Sequence, residues 1–316
     1  MKPAPGPDTQ VDARAAFGLA LPWPVPAFAA AGEGVPAVDP AYRFVPAACR
    51  AVVAGFAHGR RVYLHGPHGS GKSSHVEQVA ARLNWPCLRI NLDGHVTRAD
   101  LIGRDMVVLR EGRQVTEFVP GVLAWAVERP LALVLDEIDA GRPEVMFVIQ
   151  RLLEADGRLA LPEQNRVVQP HPAFRLFATG NTAGQGDASG QYAGTQAMNA
   201  AQMDRWQLVV ELDYPAPAEE TAILRGRVPA LDPALAPAMV RLAGLCREAH
   251  RQGVLATPPS LRTLLAWAEN TVLLADVAEA FGLAFLNRCP AHERELVGEM
   301  FQRCLALEPH AAVRAA

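Results

Sequence analysis

The run Gly66-Pro67-His68-Gly69-Ser70-Gly71-Lys72-Ser73 carries glycines, a lysine and a serine at the spacing of a phosphate-binding P-loop. Glycines let successive backbone N–H groups turn toward one anion, and a helix start directly after the loop adds partial positive charge beneath it. In such a loop Lys72 reaches the β- and γ-phosphates of a nucleoside triphosphate and the Ser73 hydroxyl ligates Mg²⁺. The expected ATP-binding residues are therefore Gly66, Pro67, His68, Gly69, Ser70, Gly71, Lys72, Ser73 and Ser74.

A second chemical group lies about 65 residues downstream. The apolar run Leu131-Ala132-Leu133-Val134-Leu135 ends in Asp136-Glu137. Asp136 is placed to hold Mg²⁺ together with Ser73, and Glu137 to polarise an attacking water as general base. A third candidate is Asn181, in Gly180-Asn181-Thr182 after the apolar run Phe174 to Thr179. Its amide can orient the lytic water against the γ-phosphate.

These groups need a scaffold that brings them to one edge. Arg61 to His65 reads as a strand and Ser74 to Leu83 as the helix after the loop. The continuous apolar run at 131–135 reads as a central parallel strand, buried on both faces. Further strands are expected at 86–92, 174–179 and 206–212, giving an α/β fold with a parallel five-stranded sheet. Ligands of such sheets bind at the carboxyl ends of the strands, where Asp136, Glu137 and Asn181 would sit. Two hairpins are expected, one from 105–109 to 114–118 around Arg110-Glu111-Gly112-Arg113, the other from 157–161 to 166–168. Helices are read at 47–56, 121–127, 143–154 (Val145, Phe147, Val148, Leu152 and Leu153 inward) and 197–206.

Residues 1–38 form a Pro- and Ala-rich arm with Trp23 and Phe28 as aromatic anchors, either a loose tail or an arm docked on this or a neighbouring subunit. The core domain is read as 39–213, and the domain after Tyr214-Pro215-Ala216-Pro217 as all-helical, 214–316. Within it Asp232-Pro233 is expected to cap a helix over 234–252, followed by helices at 261–271, 275–286 and 291–307. The loop from Gly184 to Gly194 is expected to be mobile and the C-terminal tail frayed.

With 316 residues, 50% of them hydrophobic, the chain can fill two cores. Its net charge of −3 gives no sign of a nucleic-acid-binding surface. No apolar h-region follows Met1 and no stretch of about 20 apolar residues could span a bilayer, so a cytoplasmic protein without membrane contact is expected. The five scattered cysteines fit reduced, mostly buried thiols. His68 and His75 beside the loop read as loop and helix surface rather than metal ligands.

The P-loop, the Asp-Glu strand, the strand-end Asn181, Gln202-Met203-Asp204-Arg205-Trp206 and the helical C-terminal region together resemble an AAA+ ATPase. The two hairpins look like the helix-2 and pre-sensor insertions of the clade of MoxR proteins and magnesium chelatase ATPase subunits. More narrowly, the runs Glu77 to Cys87, Asp139 to Arg151 and His171 to Thr179 resemble the ATPase subunits of aerobic, ATP-dependent cobaltochelatases. The resemblance covers residues 15 to 310. It implies that Arg205 is an arginine finger acting in a neighbouring subunit's site, and that Arg262 is the sensor-2 arginine of a lid domain. It further implies a hexameric ring, a partner with a von Willebrand A domain, and a separate large subunit on which cobalt enters a corrinoid. A MoxR-type chaperone serving another metalloenzyme is the alternative.

Overall fold

The computed structural model describes residues 4–154, 157–186 and 194–305. The expectation of a mobile loop falls largely on residues 187–193, and that of a frayed tail on 306–316, both outside the described residues. The chain divides into two compact units. One holds the residues up to Asp39, Phe44–Gly66 and Lys72–Leu212; the other holds Pro40–Arg43, Pro67–Gly71 and the residues from Asp213 on.

The first unit begins with β1 (Thr9–Val11), α1 (Ala13–Phe17) and β2 (Val25–Ala27). Strands β1 and β2 pair antiparallel, and the arm is docked on its own chain. Phe28 packs edge-on against Trp85 at 5.1 Å, and Trp23 against His58 at 5.3 Å. The Phe28 N–H donates to the Leu83 carbonyl at 2.9 Å, so main chain as well as rings ties the arm down.

The chain continues through α2 (Pro46–His58), β3 (Val62–His65), α3 (Lys72–Arg82), β4 (Cys87–Asn91), α4 (Arg98–Ile102), β5 (Gly103–Arg110), β6 (Arg113–Pro120) and α5 (Val122–Val127). Next come β7 (Ala132–Asp136), α6 (Pro143–Leu152), β8 (Leu159–Leu161), β9 (Arg166–Val168), β10 (Arg175–Gly180), α7 (Ala200–Met203) and β11 (Leu208–Glu211). Five strands form one parallel sheet in the order β11-β3-β10-β7-β4. Alternate residues of β7 feed two cores: Leu133 and Leu135 join Leu123, Ile138 and Ile149, while Ala132 and Val134 join Val52, Phe56 and Phe177. Burial on both faces is what the unbroken apolar run of β7 requires.

Both hairpins form. Glu111 and Gly112, with φ of 50° and 77°, make the tight two-residue turn between β5 and β6 that suits the strands' twist. Three local expectations need correction. In α6 the buried residues are Val145, Met146, Ile149 and Leu152, while Phe147 is 67% exposed, because the helix turns its 145/149/152 stripe to the core. Helix α7 runs only from Ala200 to Met203; its start is set by Asn199, whose side chain accepts from the Ala201 N–H while Gln202 answers with a bond to the Asn199 N–H. His75 is buried, not surface; its Nε2 accepts from the Val45 N–H at 2.9 Å and its ring meets Phe44.

The second unit contains α8 (Pro217–Arg227), α9 (Leu235–Arg251), α10 (Leu261–Leu274), α11 (Val277–Ala284) and α12 (Arg294–Leu305). Helix α9 begins at Leu235, one residue past the expected start, and Asp232 accepts from the Ala234 N–H at 2.9 Å just ahead of it. Trp267, Phe281 and Phe301 stack at the centre of this core, and Cys246 and Cys289 are buried in it. Burial pushes the Cys246 thiol up to about 12, so it stays protonated at neutral pH.

A buried ion pair joins the helices of this unit. Arg247 on α9 donates two hydrogen bonds to Glu220 on α8, at 2.8 and 2.9 Å, and a third to the Pro259 carbonyl. Its guanidinium also lies 3.8 Å above the Tyr214 ring. Removing one partner would strand a buried charge, so Glu220→Ala is expected to cost about 3–5 kcal/mol in urea unfolding. A loss below about 1 kcal/mol would show that the pair behaves as a surface salt bridge.

Candidate active site

The loop between β3 and α3 owes its path to its glycines. Gly66, Gly69 and Gly71 have φ of 143°, 72° and 92°, a region L side chains rarely adopt. At Gly66 a Cβ would also lie 2.1 Å from the Leu212 carbonyl oxygen. Lys72, Ser73 and Ser74 form the first turn of α3, directly after the loop.

Lys72 is buried, and its ammonium donates to the Gly66 carbonyl at 2.8 Å and to Asn181 Oδ1 at 3.2 Å. The Ser73 hydroxyl donates to Asp136 Oδ1 at 2.7 Å. Thr179, at the end of β10, donates to the same oxygen. Arg89, in the middle of β4, donates to the other one, Oδ2, through Nε at 2.7 Å and through Nη2. Burial pushes the Asp136 carboxyl up, but the hydroxyl bonds and Arg89 outweigh it and hold it below the usual carboxylate range. Glu77, one turn beyond Ser73 on α3, is pushed up by burial, with Arg89 opposing and Asp136 adding.

Glu137 follows Asp136 in a left-handed conformation, φ 55° and ψ 43°, where β7 turns sharply out of the sheet. Its N–H donates to Thr179 Oγ1 at 3.3 Å. Such a backbone is costly for a non-glycine residue and concentrates at functional sites. Asn181 is held from behind: Asp139 Oδ2 accepts from the Asn181 and Thr182 N–H groups at 2.8 and 2.9 Å and from the Thr182 hydroxyl. A Cβ at Gly180 would lie 2.1 Å from the Tyr63 hydroxyl, which donates to the Thr182 carbonyl at 2.5 Å. Gly180 is therefore bare for room, not for turn chemistry.

Lys72, Ser73, Asp136, Glu137 and Asn181 thus come together, as the sequence implies. Arg205 does not join them. It follows α7, donates to the Ala201 carbonyl and lies 3.8 Å from the Glu154 carboxylate. Arg262 is exposed at the second position of α10, whose start is capped by the Ser260 side chain. His68 is exposed within the loop. Sequence reading assigned no role to Arg89, Thr179, Asp139 or Glu77. The available signals were slight: a charged residue inside a short apolar strand, a hydroxyl at a strand end, and a third acid after Asp136-Glu137.

The residues fit a nucleotide with Mg²⁺. Among the described residues the Ser70 hydroxyl is buried without a hydrogen-bond partner, within a loop whose three positive-φ glycines let its N–H groups turn toward an anion. Ser73 and Asp136 present hard oxygen donors side by side, the set Mg²⁺ prefers.

A family model described as AAA domain (dynein-related subfamily) matches residues 61–195, and one described as cobaltochelatase CobS subunit N terminal matches residues 3–35. The solved structure of NtrX from Brucella abortus in complex with ADP is similar with a TM-score of 0.48 and 18% identity, over 78% of this chain and 52% of that one. Among curated relatives, the protein CbbQ of Hydrogenophilus thermoluteolus is 29% identical over 68% of this chain and 75% of its own. The aerobic cobaltochelatase subunit CobS of Sinorhizobium sp is 51% identical over 96% of this chain and 92% of its own. On that likeness, carried by a nucleotide-binding AAA domain and a CobS-type N-terminal segment, the chain belongs to the CobS family of aerobic cobaltochelatase ATPase subunits.

Proposed function

We propose that this chain hydrolyses ATP to drive cobalt insertion into hydrogenobyrinic acid a,c-diamide, a step of cobalamin biosynthesis, on a separate large subunit. The observation that carries the choice of client is the likeness to CobS over nearly the whole length. A MoxR-type chaperone of another metalloenzyme is not favoured, since the likeness to CobS runs over 96% of this chain and its N-terminal segment matches a CobS model.

In this reading the backbone N–H groups of Gly66 to Ser74 cradle the triphosphate, and Lys72 reaches its β- and γ-phosphates. Mg²⁺, held at Ser73 and Asp136, neutralises phosphate charge when bound. Glu137 accepts a proton from the attacking water, and Asn181, with its oxygen on Lys72, orients that water. Arg205 acts in the neighbouring subunit's site, as its resemblance to an arginine finger implies. Arg262 contributes positive charge from the lid.

Functionally the chain is a core, 39–213, and a lid, 214–316, preceded by the arm 1–38, and it works as a hexameric ring in the cytoplasm. Its partners are a von Willebrand A domain subunit and the large corrinoid- and cobalt-binding subunit. Among the described residues no helix is long and apolar enough to cross a membrane.

Glu137→Gln is expected to retain nucleotide binding and to lower ATP turnover on the order of 10²–10⁴-fold, read by phosphate release. Turnover equal to wild type would remove Glu137 as the base. The client is tested by mixing the chain with the two partner subunits, ATP, Mg²⁺, Co²⁺ and hydrogenobyrinic acid a,c-diamide, and following the corrinoid absorbance. Cobalt insertion is expected with wild type and not with Glu137→Gln. ATP hydrolysis without insertion, with partners of proven activity, would refute the chelatase reading.

A further inference from the structure

The two oxygens of Asp136 are used differently. Oδ1 accepts from the hydroxyls of Ser73 and Thr179, which sit on elements fixed by the core. Oδ2 accepts from Arg89 on the edge strand β4. The carboxylate side chain is 7% exposed and that of Arg89 is 44% exposed. The carboxylate is thus locked in place, while the arginine reaches it from the solvent side on a flexible stem.

A buried carboxylate needs a counter-charge, and in this unit Arg89 supplies it. A divalent cation at Ser73 and Asp136 would supply it twice over. Guanidinium and cation then compete for one carboxylate beside the ammonium of Lys72, in a setting of low dielectric where like charges repel strongly. A second acceptor for the arginine stands close by. Glu77 lies four residues after Ser73, on the same face of α3, within electrostatic reach of both Arg89 and Asp136.

We propose that Arg89 is a displaceable counter-ion of the cation site: it neutralises Asp136 in the nucleotide-free subunit and yields to the cation by moving toward Glu77. Arg89 is thereby a positioning residue, acting through Asp136, and it couples nucleotide binding to the presence of metal. The inference rests on reading Ser73 and Asp136 as the cation site.

The test uses the full chain and a fluorescent ADP analogue, with Kd measured in excess EDTA and in saturating Mg²⁺. The ratio of the two values is the metal-dependent tightening. Arg89→Gln is expected to raise that ratio on the order of tenfold, because a competing cation is gone. Arg89→Lys, which keeps the charge, is expected to stay within about twofold of wild type. Glu77→Gln is expected to lower the ratio severalfold in the wild-type background and to leave it unchanged in Arg89→Gln, since the two act as a pair.

An unchanged or lowered ratio in Arg89→Gln overturns the proposal. Should that variant not fold, Glu77→Gln alone decides, a ratio equal to wild type being the overturning result. A wild-type ratio near one would instead refute the cation site itself, and this inference with it.

Discussion

Asp136 ends a strand buried on both faces, and a charged carboxylate there is tolerable only if donors come to it. They come from three other elements: Ser73 from α3, Thr179 from β10 and Arg89 from β4. Strands β10 and β4 are the two neighbours of β7 in the sheet, and α3 is the helix that follows the glycine loop. One carboxylate therefore ties together α3, β7 and both strands that flank β7. Leaving it unpaired would cost several kcal/mol, which makes this convergence a constraint on the fold as well as on the chemistry.

Behind that carboxylate a second set of bonds aims the remaining groups. Asp139 grips the main chain of Asn181 and Thr182, and the Tyr63 hydroxyl occupies the space a side chain at residue 180 would need. With its backbone held in this way, Asn181 points its amide oxygen at Lys72. The left-handed turn at Glu137 serves the same end from the other strand. Strand ends hold the groups expected to handle water, while the glycine loop and the first turn of α3 hold those expected to handle phosphate. That is how a site is kept within the small tolerances catalysis demands.

Much of this was legible along the chain. The P-loop and the Asp-Glu strand are contiguous signals, since glycine freedom, strand periodicity and the acid pair are local properties. Both hairpins were legible for the same reason. The errors were local as well as tertiary. Asn199 moved the start of α7 to Ala200 by capping it, where a helix from 197 was expected. Phe147 was placed inward because its apolar character outweighed its phase on the helix.

The sequence by itself determined the nucleotide chemistry and the parallel sheet, because both follow from residue types at fixed short spacings. Tertiary structure decided what could not be read from spacing. It docked the Pro-rich arm, through Phe28 on Trp85 and the β1–β2 pairing, where composition allowed either a loose tail or an anchor. It buried His75 against Val45, 30 residues away. It also brought Arg89 to Asp136 across 47 positions of chain. Such pairings depend on strand order and helix phase, and the free energy of a buried charge or ring finding its partner is settled only when the chain has folded.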